Sequence, residues 1–185
     1  ERALARADRR DSVVVLMFID LDGFKAVNDT WGHATGDMVL QLVARRVQEK
    51  LRAEDALARL GGDEFVIMLE DVTSRDGALR VARLALEQIE SIVEADGHPV
   101  SISASIGIAS ARGQSGAARG QEALLADADK AMYEAKQAGK GRFVVSPQSQ
   151  WLGPAARELP RERLRELPPA IEADATNGAD HDPIG

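Results

Sequence analysis

Two short runs in this chain place carboxylates where they can do chemistry. Val13-Val14-Val15-Leu16-Met17-Phe18-Ile19 leads straight into Asp20-Leu21-Asp22-Gly23-Phe24-Lys25, and Arg59-Leu60-Gly61-Gly62-Asp63-Glu64-Phe65 sets two acids behind two glycines. Glycine reaches positive φ without penalty and lets a ligand approach the backbone, so Gly61-Gly62 predicts a hairpin turn with Asp63 and Glu64 just past it. Acids at a strand end, followed by glycine and a short helix, make a phosphate-and-metal arrangement. Gly23 and Phe24 offer backbone N–H groups at the helix start to terminal phosphates. Two carboxylates about 4 Å apart repel by roughly 4 kcal/mol at an effective dielectric near 20. A cluster of Asp20, Asp63 and Glu64 therefore favours a divalent cation, Mg²⁺ or Mn²⁺, between its members. Taken singly, Asp20 also reads as a strand-end or helix N-cap aspartate; the three acids together favour metal.

The elements that must position these residues alternate between strand and helix. The apolar run at 13–19 is a strand buried on both faces. Val39, Leu42, Val43, Val47 and Leu51 keep helical spacing, so a helix from about Thr35 to Arg52 packs one face on a sheet. Leu57 to Leu60 and Phe65 to Leu69 flank the double glycine as hairpin strands. Leu79, Ala82, Leu86, Ile89 and Val93 step by three and four as an amphipathic helix, and Val100, Ile102, Ala104, Ile106 and Ile108 alternate with Ser and Gly as a half-buried strand. A Gly/Ser/Ala-rich loop from Arg112 to Gly120 leads to a helix over Glu122 to Ala138, and Arg142 to Val145 closes as a strand. The order β-α-β-β-α-β-α-β contains the βαββαβ arrangement of ferredoxin-like folds, an antiparallel sheet covered by helices on one face with loops for chemistry at one end.

Length and composition bound the partners. The chain has 185 residues, enough for one domain with appendages, and no cysteine, so it has neither a disulfide framework nor thiol chemistry. A formal charge of −7 and only short basic clusters argue against nucleic acid. No run is long and apolar enough to insert directly in a membrane, and no signal peptide is visible; the expected location is cytoplasmic, although a longer parent protein is free to be membrane-tethered. Residues 1–11, Glu1-Arg2-Ala3-Leu4-Ala5-Arg6-Ala7 onward, read as the end of a helix whose beginning is absent, and the domain proper as 12–146. Six of the seven prolines fall after Ser146, so 147–185 is expected to be a Pro-rich, largely disordered tail in which Arg157 to Leu167 allow a short helix.

Further blocks carry a family resemblance. Asn28-Asp29-Thr30-Trp31-Gly32-His33, Gly36-Asp37, Asp129-Lys130-Ala131-Met132-Tyr133-Glu134-Ala135-Lys136 and Gly139-Lys140 follow the Asp20 run and bracket the Gly-Gly-Asp-Glu-Phe motif. Over about Val13 to Val145 the chain resembles the GGDEF family of diguanylate cyclases, enzymes of bacterial second-messenger signalling. The resemblance implies an α/β (α+β) fold with a palm-like, nucleotide-cyclase-like five-stranded core. It implies condensation of two GTP into cyclic di-GMP and two pyrophosphates by a homodimer, each domain holding one GTP. It places Asp20 and Asp63, the Leu21 carbonyl and Glu64 at the metal, with Glu64 as base or metal support. Lys136 and Lys140 would reach the phosphates, although cations at a helix C-terminus are favoured in any case. Lys25 and Arg59 would offset transition-state charge, and Gly62 would lie against the substrate. Asn28 and Asp37 would read the base: a carboxylate accepts from guanine N1 and N2 and an amide donates to its acceptors, which favours GTP over ATP. Both residues also suit a turn and an N-cap.

Arg52-Ala53-Glu54-Asp55 stands at the family's spacing for an inhibitory product site, with Arg80 or Arg83 completing it; a surface ion pair is the plainer reading. The family's Asp-x-Leu-Thr-Gly-Leu-x-Asn-Arg segment, which links to a sensory or regulatory module on the N-terminal side, is not matched. Gly141 stands where Asn is common, a change expected to loosen the closing turn. Two other classes fit parts of the pattern: a non-catalytic module that binds GTP or cyclic di-GMP, and a related palm-type cyclase or polymerase. Pure binding does not need Asp63 and Glu64, and Asn28 with Asp37 disfavours the polymerase.

Overall fold

The computed structural model describes Ala7 and residues 12–151, with backbone only for 113–119. In chain order the elements are β1 (Val13–Asp22), α1 (Phe24–Trp31), α2 (His33–Gln48), β2 (Ala56–Gly61), β3 (Glu64–Val72), α3 (Arg75–Glu90), β4 (Glu94–Ala95), β5 (His98–Pro99), β6 (Ser103–Arg112), α4 (Gly113–Gln137) and β7 (Arg142–Val145). Five strands form one sheet in the order β2-β3-β1-β6-β7, and β4 pairs with β5 separately. β1 lies antiparallel to both β3 and β6, whereas β7 runs parallel to β6. The first four strands thus have the split βαβ order, and β7 extends it.

Strand parity divides the molecule. Val13, Val15, Met17, Ile19 and Leu21 face a core shared with Phe65, Ile67 and Leu69 of β3, Ile106 and Ile108 of β6, and the apolar sides of α2 and α3. Val14, Leu16 and Phe18 face the other way, against Leu124, Ala128 and Met132 of α4 and against Ala7, which is helical and buried. Helices therefore cover both faces of the sheet, not one. The reason is visible in β6, where the residues between the aliphatic ones are Ser105, Gly107, Ala109 and Ala111. All are buried, so the strand expected to be half-buried is central and covered on both sides. Small residues admit α4 at close range. A Cβ at Gly107 would overlap the Ala128 carbonyl oxygen and the Met132 nitrogen of that helix.

Other differences from the sequence expectation have local causes. α2 spans His33–Gln48, shorter than expected, and the chain then turns through Leu51 and Asp55. The expected loop over 112–120 is largely helical, with a break at Gly120 (φ 77°, ψ 165°) that divides α4. The β4–β5 hairpin, not foreseen, is closed by Asp96 and Gly97, both at positive φ (52° and 74°), the type I′ requirement.

At the pole where β1 starts, Ser12 donates to Asp71 Oδ1 (2.8 Å). The chain also stays on the sheet past Ser146. Ser110 Oγ donates to the Gln150 carbonyl (2.7 Å), the Gln150 N–H donates back to the Ser110 carbonyl (3.0 Å), and Arg75 lies over the Trp151 ring. The expected tail therefore does not begin at 147; from 152 on it lies outside the described residues, as does the expected helix over 157–167. Residues 1–11, apart from Ala7, lie outside them as well.

Candidate active site

β1 delivers its acids to the α4 side of the sheet. Asp20 and Asp22 continue the parity of Val14, Leu16 and Phe18, and Asp20 stands directly across from Glu64 on β3 and Ser105 on β6. Asp63 lies within the hairpin turn rather than past it, because Gly61 still belongs to β2 and the turn is Gly62-Asp63, with Gly62 at φ 52°. The ladder shifts by one residue between Arg59 and Gly61, leaving Leu60 as a bulge that is 52% exposed. The turn is braced from two sides. Leu21 N–H donates to the Asp63 carbonyl (3.2 Å), and Arg59 Nε donates to the Gly62 carbonyl (3.0 Å). Both contacts tie the Asp63 segment to residues the sequence already singles out.

Lys136 arrives from the last turns of α4, its Nζ 2.7 Å from Asp20 Oδ2. Burial raises the proton affinity of Asp20, the nearby charges of Asp63 and Asp22 add to that, and the Lys136 hydrogen bond and charge offset only part of it. For Lys136, burial disfavours the ammonium, but the Asp20 hydrogen bond and the charges of Asp20, Asp63 and Asp22 outweigh it and hold the group above the ordinary lysine value. The centre is thus an excess of negative charge that one ammonium does not balance. Its oxygen donors, the Asp20 and Asp63 carboxylates beside the Leu21 peptide, suit a hard divalent cation. Among the described residues no three His, Cys, Asp or Glu side chains gather to hold a metal alone. Such a site leaves coordination positions for phosphate oxygens, which is the usual protein arrangement for Mg²⁺.

Asp22, outside the sequence-derived site set, is the residue that organises the closing turn. It is buried, accepts from Ser105 Oγ (2.9 Å to Oδ2, 3.2 Å to Oδ1), and accepts from the Gly141 N–H (3.2 Å). Gly139, Lys140 and Gly141 all have positive φ (105°, 59° and 54°), so the backbone reverses sharply after α4 and sets Lys140, exposed, next to the acids' strand. The glycine at 141 does not leave the turn loose: its own N–H is the tethered group. The signal for Asp22 was its place two residues beyond Asp20 on the same strand face.

On the opposite face α1 starts at Gly23, whose φ of 87° and close approach to the Ser101 carbonyl exclude a side chain. The first N–H groups of α1, from Phe24 and Lys25 on, have no intrahelical acceptor. Asn28 is half-buried over Gly36, where a Cβ would overlap its Oδ1, so the glycine of Gly36-Asp37 makes room for the amide. Asp37 is exposed and lines a groove of about 640 Å³ with Leu40, Ala44, Leu57, Arg59 and Phe65. Leu57 and Phe65, which the sequence pattern places only in strands, are part of its wall. The groove joins the base-reading candidate Asp37 to Arg59 of the hairpin. Arg52 and Asp55 form a separate exposed turn in which Asp55 Oδ2 accepts the Arg52 backbone N–H (3.1 Å) rather than a guanidinium contact, and Arg83 lies on α3.

The family profile described as "Diguanylate cyclase, GGDEF domain" matches residues 1–142. The chain belongs to the GGDEF family. This GGDEF domain is 44% identical over 143 residues to the bifunctional diguanylate cyclase/cyclic di-GMP phosphodiesterase MucR of Pseudomonas aeruginosa, covering 77% of this chain and 20% of that protein. It is 43% identical over 141 residues to the diguanylate cyclase TpbB of the same species, covering 76% of this chain and 32% of TpbB. It therefore spans a third or less of these two relatives. Among solved structures, the GGDEF domain of TpbB superposes with a TM-score of 0.73 at 40% identity, over 78% of this chain and 89% of that one. The GGDEF domain of DgcB from Caulobacter crescentus, solved with c-di-GMP, gives 0.70 at 26% identity, over 78% and 84%. The α+β fold with its five-stranded mixed sheet is the GGDEF fold, and enzymes of this family use a divalent metal ion. No helix among the described residues is long and apolar enough to cross a membrane.

Proposed function

We propose that this domain is a diguanylate cyclase, a nucleotidyltransferase that condenses two GTP into cyclic di-GMP and two pyrophosphates. The observation that carries the reading is the meeting of Asp20, the Gly62-Asp63 turn with Glu64 behind it, and Lys136 at one end of the sheet, with the Asp37 groove and the α1 N-terminus on its other side. In each of two steps a ribose 3′-oxygen bonds to the α-phosphorus of the other GTP, the bond to the β-phosphate oxygen breaks, the hydroxyl proton leaves, and pyrophosphate departs. One domain holds one GTP, so two domains face each other as a homodimer. Asn28 and Asp37 hold the guanine, Gly23, Phe24 and Gly62 approach the phosphates with backbone groups, and Lys136 and Lys140 bind their charge. Lys25 and Arg59 would offset charge that develops in the transition state. Asp20, Asp63, Glu64 and the Leu21 carbonyl would hold Mg²⁺ or Mn²⁺, which supplies acidity to the hydroxyl and neutralises phosphoryl charge. Release of Lys136 from Asp20 frees both the carboxylate and a cation for phosphate.

Arg52, Asp55 and Arg83 are assigned to a second, inhibitory site for cyclic di-GMP. The supply of GTP and Mg²⁺ places the reaction in the cytoplasm. The test is mass-spectrometric product analysis after incubation with GTP and Mg²⁺ at several protein concentrations, with Asp63→Ala alongside. Cyclic di-GMP formed at a rate that steepens with concentration, and absent in the variant, is the expected result. No product at any concentration overturns the reading in favour of a binding module.

A further inference from the structure

The helix that carries Asn28 has little of its own to hold it. α1 is 8 residues long, with no side-chain N-cap, no acid in its first turn and no base in its last. Helices this short are not stable by propensity. Phe24 and Val27 bury its inner side, and its C-terminal end is closed by Gly32 N–H to the Asn28 carbonyl (2.9 Å) and Thr35 Oγ1 to the Trp31 carbonyl (3.2 Å). One further contact comes from a different part of the chain. The Trp31 ring stacks on His98, with centroids 4.6 Å apart and planes 11° from parallel.

His98 is well placed to act as a fixed point. It directly follows the Asp96-Gly97 turn, a rigid two-residue connection, and pairs with Ala95. The base of this hairpin is set in the core through Ile92, Ala95 and Val100, all buried. The two-residue strands would not persist alone; anchored this way they present an aromatic ring to the end of α1. Trp31 is 39% exposed, so the contact is not part of the core. Trp31 lies three residues beyond Asn28, on the same side of the helix.

We propose that His98 is a positioning residue for base recognition: by stacking on Trp31 it fixes the rotation of α1 and so holds the Asn28 amide over Gly36. The proposal rests on the reading of Asn28 as a guanine contact. Initial-rate kinetics with GTP and Mg²⁺ on His98→Ala, His98→Phe and the unaltered protein test it, together with hydrogen exchange of the α1 amides without nucleotide. An aromatic pair is worth about 0.5–1.5 kcal/mol, so His98→Ala is expected to raise KM for GTP about three- to tenfold with kcat within about twofold. Exchange in α1 should quicken, the melting temperature should fall by no more than about 5 °C, and His98→Phe should restore both KM and protection. Unchanged α1 exchange in His98→Ala overturns the proposal whatever the kinetics show. So does an unchanged KM, a loss of kcat equal to the loss of kcat/KM, or a failure of His98→Phe to restore. If the unaltered protein makes no cyclic di-GMP, the cyclase reading fails instead, and the exchange experiment still decides the clamp.

Discussion

Replacing Gly107 by alanine should damage both the stability and the chemistry of this domain through one displacement. Gly107 pairs with Phe18 on β1 and lies beneath α4. An added Cβ would overlap the Ala128 oxygen and the Met132 nitrogen and come within 2.9 Å of the Ala131 carbonyl carbon. These are backbone atoms, so no rotamer change relieves them and the helix itself must lift. Restoring contacts to about 3.5 Å requires a movement on the order of 1 Å. Overpacking of this kind costs about 1–3 kcal/mol, the upper end applying because backbone must give. At about 3 °C per kcal/mol for a domain of this size, the melting temperature should fall by roughly 5–10 °C. Lys136 is five residues beyond Ala131 on the same helix, and a lift of that size carries its ammonium, now 2.7 Å from Asp20, away from the acids and the phosphates it would bind. A misplacement of about 1 Å at a reacting centre costs on the order of 100-fold. Thermal unfolding by circular dichroism and the initial rate of pyrophosphate release measure the two effects. An unchanged melting temperature would refute the close packing of α4 on β6; a lowered one with an undiminished rate per folded enzyme would refute the link from α4 to the chemistry.

The buried carboxylate of Asp22 predicts a graded pair: Asp22→Ala should raise KM for GTP by about tenfold through loss of the Gly141 and Ser105 hydrogen bonds, each worth about 0.5–1.5 kcal/mol, and Asp22→Asn, which keeps an acceptor, should do less. Equal effects in steady-state kinetics would count against the tether. Arg59→Lys removes the Nε donor to the Gly62 carbonyl and should lower kcat by up to about tenfold, the equivalent of one hydrogen bond, as read in the same assay. Ser74 caps α3 by accepting from Gly77 N–H (3.1 Å). Ser74→Ala should cost about 1 kcal/mol, seen as a drop of roughly 3 °C in thermal unfolding, and leave kcat and KM where they were. Chelation of divalent ions should abolish product formation, and added Mg²⁺ or Mn²⁺ should restore it.

The parts of the fold legible in the sequence were those with a strong apolar pattern. The run at 13–19 could only be a buried strand, and α3 announced itself by its spacing. What escaped was whatever depends on small residues. Ser105 and Gly107 looked like the wet side of a strand because a polar-apolar alternation cannot distinguish water from a closely packed helix backbone; only the approach of α4 decides. The Asp96-Gly97 hairpin carried its own signal, a two-residue turn sequence, hidden by strands only two residues long. In the site, Asp20 stands across from Glu64 and Lys136 reaches Asp20, a contact that the residue types did not announce. For Asp22 the sequence offers its strand face but not its role, since nothing local reveals a hydrogen bond to a residue 119 positions away.

The chain comes onto the sheet at Ser12 and leaves it at Trp151 at one pole, while Asp20, Asp22 and the Gly62-Asp63 turn occupy the other. The ten residues of β1 separate the two, a distance of about 33 Å at strand rise. The points where the described chain joins and leaves the sheet thus lie a strand's length from the acids. On the proposed reading, that pole is the one that meets a second molecule. On the same reading, a change at the entry or exit of the sheet bears on when and where the domain meets its twin, and reaches the chemistry only through the length of β1.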